Sequence, residues 1–283
     1  MAMRLLVVGA IASVCVFPRP AAALPAQAPK ILVSAAPGSL VRWSAPGTKR
    51  CGMARRTWPP LGETCYYPID IVQKPGVIRI VRWGLGPPES VHVAVGPSPY
   101  GTEEIDLGDI PQGNPSAQDL ARNAREQAQV AKVWKRKEGA PKFTLPLGNP
   151  ARPLPEPKTF GWNRVFNGKP SHQPHMGADY AMPEGTPVLA AADGTVALAA
   201  DLFFPGKAVF IDHGDGLFTM YFHLSEIKVD GGQAVAKGDP VGRVGSTGRS
   251  SGSHLFFGVR WHGARINPQP LLEDPNKIPA VGQ

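Results

Sequence analysis

Between His254 and Trp261 the chain alternates with a period of two, which sorts Leu255, Phe257, Val259 and Trp261 onto one face and His254 and Phe256 onto the other. The first face is predicted core. His254 and position 256 stand two residue rises apart on the second face, spaced to converge on one small site. The same rule applied to residues 218–224 turns Phe218, Met220, Phe222 and Leu224 inward and Thr219, Tyr221 and His223 outward. Short strands and Gly turns begin at Phe160, and the runs 188–192 and 195–199 flank Asp193-Gly194, a strong hairpin signal. No 3.6-residue period of useful length interrupts them, so the C-terminal region is predicted to be all-β.

Upstream, residues 29–112 hold short β-prone runs broken by Pro and Gly, which predicts a small β-sandwich-like N-terminal module. Residues 113–138 differ in character. Ser116 and Asp119 form a capping box ahead of strong helix formers, so one helix with a polar face is expected over 116–137. Residues 139–159 carry Pro141, Pro146, Pro150, Pro153, Pro155 and Pro157 and read as a stiff Pro-rich linker. The boundary placed there leaves a C-terminal domain at 160–272 and a tail at 273–283.

Composition adds an address. A chain of 283 residues, 42% hydrophobic, is long enough for two ordinary domains with real cores. Residues 1–28 combine Arg4, an apolar run from Leu5 to Val16 and small residues near Ala23 and Ala28, the pattern of a secretory signal peptide. A bilayer takes about 20 apolar residues, so the reading is export, to the periplasm or outside the cell, without a stable membrane span. Lipid attachment at Cys15 is the weaker reading, because Val14 precedes it. Removing the signal leaves Cys51 and Cys65, for which an exported chain predicts a disulfide; two free thiols or a weak metal pair are the alternatives. The net charge of +8 points toward anionic wall polymers or a membrane surface, with a solvated basic face as the plain alternative. No stretch interleaves aromatic and basic residues as nucleic-acid binding would want.

The segment His175-Met176-Gly177-Ala178-Asp179 lies between Pro174 and Pro183, which disfavours a helix. Extended, its ends stand about 13 Å apart, near the limit at which His and Asp grip one ion, so a kink at Gly177 would help. Imidazole and carboxylate are good zinc donors. A lone strand histidine is more often a packing residue, and it is the set that carries weight. That set comprises Phe160-Gly161-Trp162-Asn163-Arg164, Phe166-Asn167-Gly168-Lys169-Pro170, His175 to Asp179, Ile211-Asp212-His213-Gly214, Tyr221-Phe222-His223-Leu224-Ser225, and Thr247-Gly248-Arg249-Ser250-Ser251-Gly252-Ser253-His254-Leu255.

In this order the motifs resemble the lysostaphin-type (LytM-like) zinc metalloendopeptidase family over about residues 160–272. The resemblance implies an all-β peptidase domain of the duplicated hybrid motif type, zinc as cofactor, and peptidoglycan stem or cross-bridge peptides as substrate. It also implies His175 and Asp179 as metal ligands and His223 and His254 as catalytic histidines. The family's last motif runs His-x-His, its second histidine being the third ligand, and here that position is Phe256. Two readings follow: an active zinc endopeptidase of the cell wall, at full or impaired rate, or a catalytically silent relative that binds peptidoglycan or regulates a wall hydrolase. His172 is a conceivable substitute donor, whereas His262 lies about 20 Å past position 256 along an extended strand and is a poor one. His213, in a tight turn, reads as structural. A biotinyl or lipoyl carrier, suggested by the rhythm of residues 229–239, fails for want of a lysine beside Asp193-Gly194.

Overall fold

The computed structural model describes residues 31–136 and 139–282, so the signal-peptide and Cys15 readings lie outside the described residues. Eight strands open the chain: β1 (Ile31–Ala35), β2 (Leu40–Ser44), β3 (Arg50–Met53), β4 (Arg56–Trp58), β5 (Thr64–Pro68), β6 (Gly76–Trp83), β7 (Glu89–Val95) and β8 (Thr102–Ile105). Five form a sheet in the order β1-β7-β6-β3-β4, and β2 pairs with β5 in a separate ribbon. Val41, Trp43, Tyr67, Ile80 and Val93 fill the space between them. A disulfide joins Cys51 of the sheet to Cys65 of the ribbon and ties the two layers across that core.

Helix α1 (Ala117–Val133) starts with the Ser116–Asp119 capping box. It stops short of the expected Lys137, with Trp134 as its C-cap. The reason is tertiary. Val130, Val133 and Trp134 turn onto the sheet that follows, where Trp134 meets Phe210 and Phe218 edge-on.

The rest of the chain runs β9 (Asn163–Phe166), β10 (Lys169–Pro170), β11 (Ala178–Ala181), β12 (Pro187–Leu189), β13 (Gly194–Leu202), β14 (Gly206–Asp212), β15 (Leu217–Ile227), β16 (Ala234–Val235), β17 (Pro240–Val244), β18 (His254–Trp261), β19 (Ala264–Ile266) and the short helix α2 (Gln269–Leu272). Nine of these strands build one sheet, with the continuous order β11-β18-β15-β14-β13-β16. The molecule is mostly β-sheet with little helix, as the sequence pattern predicts. Leu255, Phe257, Val259 and Trp261 all face the main core.

Three expectations are corrected. Asp193-Gly194 does not turn a hairpin: β12 pairs with β17, while β13 pairs with β14 and β16. Neither residue has the positive φ that a two-residue type I′ turn needs. Gly194 is there for close approach instead, since a Cβ would lie 2.7 Å from Asp212 O.

Strand β15 is turned over relative to the period-two reading. Tyr221 and Leu217 are fully buried in the main core, whereas Phe218, Met220 and Phe222 lie on the opposite face. The cause is a β-bulge at its end. Between the pairs Val209↔Tyr221 and Lys207↔Leu224, β15 spends one residue more than β14. His223 takes up the extra residue at φ 62°. Phe222 and His223 therefore leave the core together, and Leu224 returns to it.

Residues 139–159 are irregular, as their prolines require. They are not a spacer. Phe143, Leu147 and Ala151 sit in the main core. Leu147 N–H donates to Leu271 O at 2.7 Å, and Leu189 N–H donates to Pro150 O at 2.8 Å. The tail behaves similarly: Ile278 enters the main core, and Val281 N–H donates back to Arg42 O of β2 at 2.9 Å. Further ties between the modules are β8 lying parallel to β9, the Asp70–Arg265 ion pair at 2.8 Å, and Trp58 stacked on His262 at 4.4 Å.

The disulfide closes a loop with a sequence separation of 14 residues, for which chain entropy gives about 3 kcal/mol. Replacing both Cys51 and Cys65 by Ser is expected to lower the unfolding free energy by about that amount in urea titrations.

Candidate functional site

Opposite residues on antiparallel strands share a face, and the registers Asp179↔Phe256 and Phe222↔Phe256 set these three side chains in one row across β11, β18 and β15. His254 lies two residues along β18 on that face, and the bulge delivers His223 beside it, ring centroids 4.8 Å apart. His175 precedes β11, its N–H bonded to Trp162 O at 2.8 Å. Its Nε2 stands 3.3 Å from Asp179 Oδ1, and His254 Nε2 stands 3.6 Å from the same oxygen. His175, Asp179, His223 and His254 thus converge.

The ring orientations follow from the backbone. Nδ1 of His175 contacts Thr159 O at 3.1 Å, that of His223 contacts Thr247 O at 2.8 Å, and that of His254 contacts Gly252 O at 2.8 Å. A carbonyl only accepts, so each Nδ1 carries a hydrogen and each Nε2 is turned toward the cluster. Burial, followed by the neighbouring His254, pushes the His223 pKa down to about 3, which keeps that ring neutral at physiological pH. Burial works to raise Asp179, but His175, Arg164 and His254 prevail and hold it well below the usual carboxylate range. Arg164 reaches Asp179 Oδ2 in a direct ion pair, and its Nη2 also donates to Thr159 Oγ1 at 2.9 Å.

Phe256 occupies the middle of the row. Its ring stacks on Phe222 with centroids 4.6 Å apart and planes 5° from parallel, and meets His175 edge-on at 5.2 Å. Its tip lies over Gly177, where a Cβ would come 2.4 Å from Phe256 Cζ. The φ at Gly177 is not positive. The backbone nonetheless bends at Gly177 as expected, and the glycine also serves as the floor under the phenyl ring.

The buried atoms His175 Nε2 and Asp179 Oδ1 face each other without a hydrogen-bond partner, as two donors awaiting an ion would. A third donor is lacking: among the described residues no group of three His, Cys, Asp or Glu side chains is arranged to hold a metal. A catalytic zinc centre takes three protein ligands and an open position, so the residues present do not fit one. His172 is exposed on the cleft rim, without a hydrogen bond or ion pair to the cluster. His262 stacks on Trp58 and Trp261 at the module boundary. His213 is buried, with Nδ1 2.7 Å from Asp193 O and Nε2 2.8 Å from Thr219 Oγ1, an anchor for the core.

The cluster opens into a cleft of about 540 Å³ walled by α1 on one side, by residues 164–176 on another and by the turns around Phe204 and Arg249 on a third. Arg164 and Arg249 both lie in motifs visible in the sequence, but no spacing rule assigned them a role.

Residues 173–268 match the model described as Peptidase family M23. They form a peptidase family M23 domain. This region is 43% identical over 94 residues to Peptidoglycan DD-endopeptidase ShyA of Vibrio cholerae, covering 33% of this chain and 22% of that one. It is 46% identical over 94 residues to DD-carboxypeptidase/endopeptidase Mpg of Neisseria gonorrhoeae, again 33% of this chain and 22% of the relative. The match thus spans about a fifth of the length of these curated relatives. A solved Pseudomonas aeruginosa structure carrying a peptidase M23 designation shares 29% identity, covers 86% of this chain and 96% of its own, and superposes with a TM-score of 0.64. A likeness of that extent takes in the N-terminal module as well as the M23 domain.

Because a Cβ at Gly177 would strike Phe256, Gly177→Ala is expected to cost about 1–3 kcal/mol as overpacking. Truncating the ring should relieve that clash. Gly177→Ala with Phe256→Ala should be less destabilised than the sum of the two single variants in thermal melts, whereas simple additivity would show that the ring does not rest on Gly177.

Proposed function

We propose that this chain is an exported cell-wall protein whose M23 domain takes peptidoglycan stem or cross-bridge peptides into its cleft, with zinc-dependent hydrolysis impaired by Phe256. The observation that carries the reading is the phenyl ring standing where the family's third ligand is expected, packed on Phe222 and Gly177. His175 and Asp179 are then the two surviving ligand positions, and His223 and His254 the catalytic histidines. When bound, zinc would supply a Lewis acid and an ionised water. With two donors and an apolar third corner, metal affinity is expected to fall by more than the roughly 10 to 100-fold that losing an outer-shell partner costs.

What the residues present can do is bind. His223, neutral and in the cleft lining, offers its Nε2 lone pair to a peptide N–H, and the lining is basic and aromatic. One observation favours the second reading, a catalytically silent relative that binds peptidoglycan or regulates a wall hydrolase: Asp179 already has a cation beside it in Arg164. Export is supported by the apolar run and small residues of positions 1–28 and by the disulfide, which persists in oxidising compartments. No helix among the described residues is long and apolar enough to cross a membrane.

Zinc content of the purified protein and release of fragments from purified peptidoglycan test the proposal. The native chain is expected to hold well under one zinc per molecule and to turn over slowly or not at all, and Phe256→His to gain both. Stoichiometric zinc with rapid turnover in the native chain would overturn it.

A further inference from the structure

The cleft lining brings together Arg164, Arg249, Arg260 and Arg265 and contains no acidic side chain among the described residues. Two of the four are committed: Arg164 pairs with Asp179 and Glu103, and Arg265 with Asp70. Arg260 lies over the Trp134 ring at 4.7 Å, against the wall that α1 provides. Arg249 is different. Its guanidinium sits between two aromatic rings, 4.1 Å from the Phe166 centroid and 4.5 Å from that of Phe204, and no carboxylate among the described residues forms an ion pair with it.

The position is rigid. Arg249 N–H donates to Phe204 O at 2.8 Å, and Gly248 is so close to the facing turn that a Cβ would lie 2.3 Å from Gly206 N. Thr247, two residues before Arg249, accepts the His223 Nδ1–H through its carbonyl, so one short loop orients both the catalytic-position histidine and the arginine. Burial and the like charge of Arg164 both work against the Arg249 cation, which stays protonated all the same. A planar guanidinium with both faces covered has its N–H edge left for bonding, and that edge matches a carboxylate in a bidentate fork.

We propose that Arg249, clamped between Phe166 and Phe204, is the anchor for a carboxylate of the peptide that occupies the cleft. The proposal rests on the peptide-binding reading above and narrows it to anionic peptides. A stem peptide offers two such groups, its C-terminal carboxylate and the free carboxylate of an internal acidic residue. Both have the same chemistry, and the experiment separates them.

The test uses the full chain and the pentapeptide Ala-D-Glu-Lys-D-Ala-D-Ala, followed by calorimetry and by the Arg249 Nε–H resonance, identified by its loss in Arg249→Lys. Arg249→Met keeps an unbranched stem between the rings and removes the charge. It is expected to weaken binding about 10-fold or more, the size of a charge-assisted hydrogen bond. Amidating the carboxylate that Arg249 holds should weaken native binding equally and abolish the difference between native and Arg249→Met. Loss on C-terminal amidation assigns the terminus, and loss on replacing D-Glu by D-Gln assigns the internal group. Equal binding of both the pentapeptide and acetyl-D-Ala-D-Ala by native protein and Arg249→Met, or an Arg249 resonance in native protein unmoved by either at saturation, overturns the anchor. Acetyl-D-Ala-D-Ala keeps this failure distinct from failure of the peptidoglycan reading. A resonance shift with that dipeptide but not with the pentapeptide retains the carboxylate anchor and sinks the stem-peptide assignment, whereas no shift with either sinks the anchor itself.

Discussion

The pairing of β15 with β18 governs this molecule. With Tyr221 opposite Phe257 and Phe222 opposite Phe256, one face of the pair becomes main core and the other becomes the floor of the cleft. Side-chain direction in a strand alternates strictly, so a slip of one residue would exchange core and site together. The bulge at His223 is the exception on which the site depends. It costs a non-glycine residue the left-handed backbone, a conformation an L side chain rarely adopts, and in return it places two successive side chains in the cleft. Without it His223 would face the core that Leu224 fills.

That exception also marks where the sequence stops being legible. The period-two rule read β18 correctly because no bulge interrupts it, and Phe256 could be placed opposite the core from its neighbours alone. On β15 one parity cannot hold on both sides of the bulge: the reading is right for His223 and Leu224 and inverted for residues 218–222. Asp193-Gly194 misled for a related reason. A turn dipeptide reports local backbone freedom, while the glycine was demanded by Asp212 O across the sheet. Proline in residues 139–159 foretold the absence of regular structure but not the burial of Phe143 and Leu147 between the prolines. Four of the site's polar residues were legible as a set because they fall in motifs. Arg249 falls in a motif too, but its role was not legible, because a cation held by two rings distant in sequence leaves no local pattern.

In the cluster itself, charge and packing pull in opposite directions. Asp179 is kept ionised by the groups around it, and His175 Nε2 and Asp179 Oδ1 remain without hydrogen-bond partners. Such atoms are costly to bury. Phe256 beside them adds apolar packing and nothing that bonds. The result is a polar half, positioned by carbonyls that fix each imidazole, set against an aromatic half continuous with Met220, Phe210 and Trp134.

The returning tail has a consequence for motion. Residues 279–281 pair with Arg42 of the N-terminal module, β8 pairs with β9 of the other, and Asp70 is gripped by Arg265 between them. Three separate fastenings, together with the packing of residues 139–159 and Ile278 into the main core, oppose a swing of one module against the other. A frame of this kind cannot clamp a guest by domain closure, and with the Phe204 turn locked to Gly248 and Arg249, adjustment to what enters the cleft is left to the exposed side chains of the rim around His172. The molecule is built as a fixed jaw.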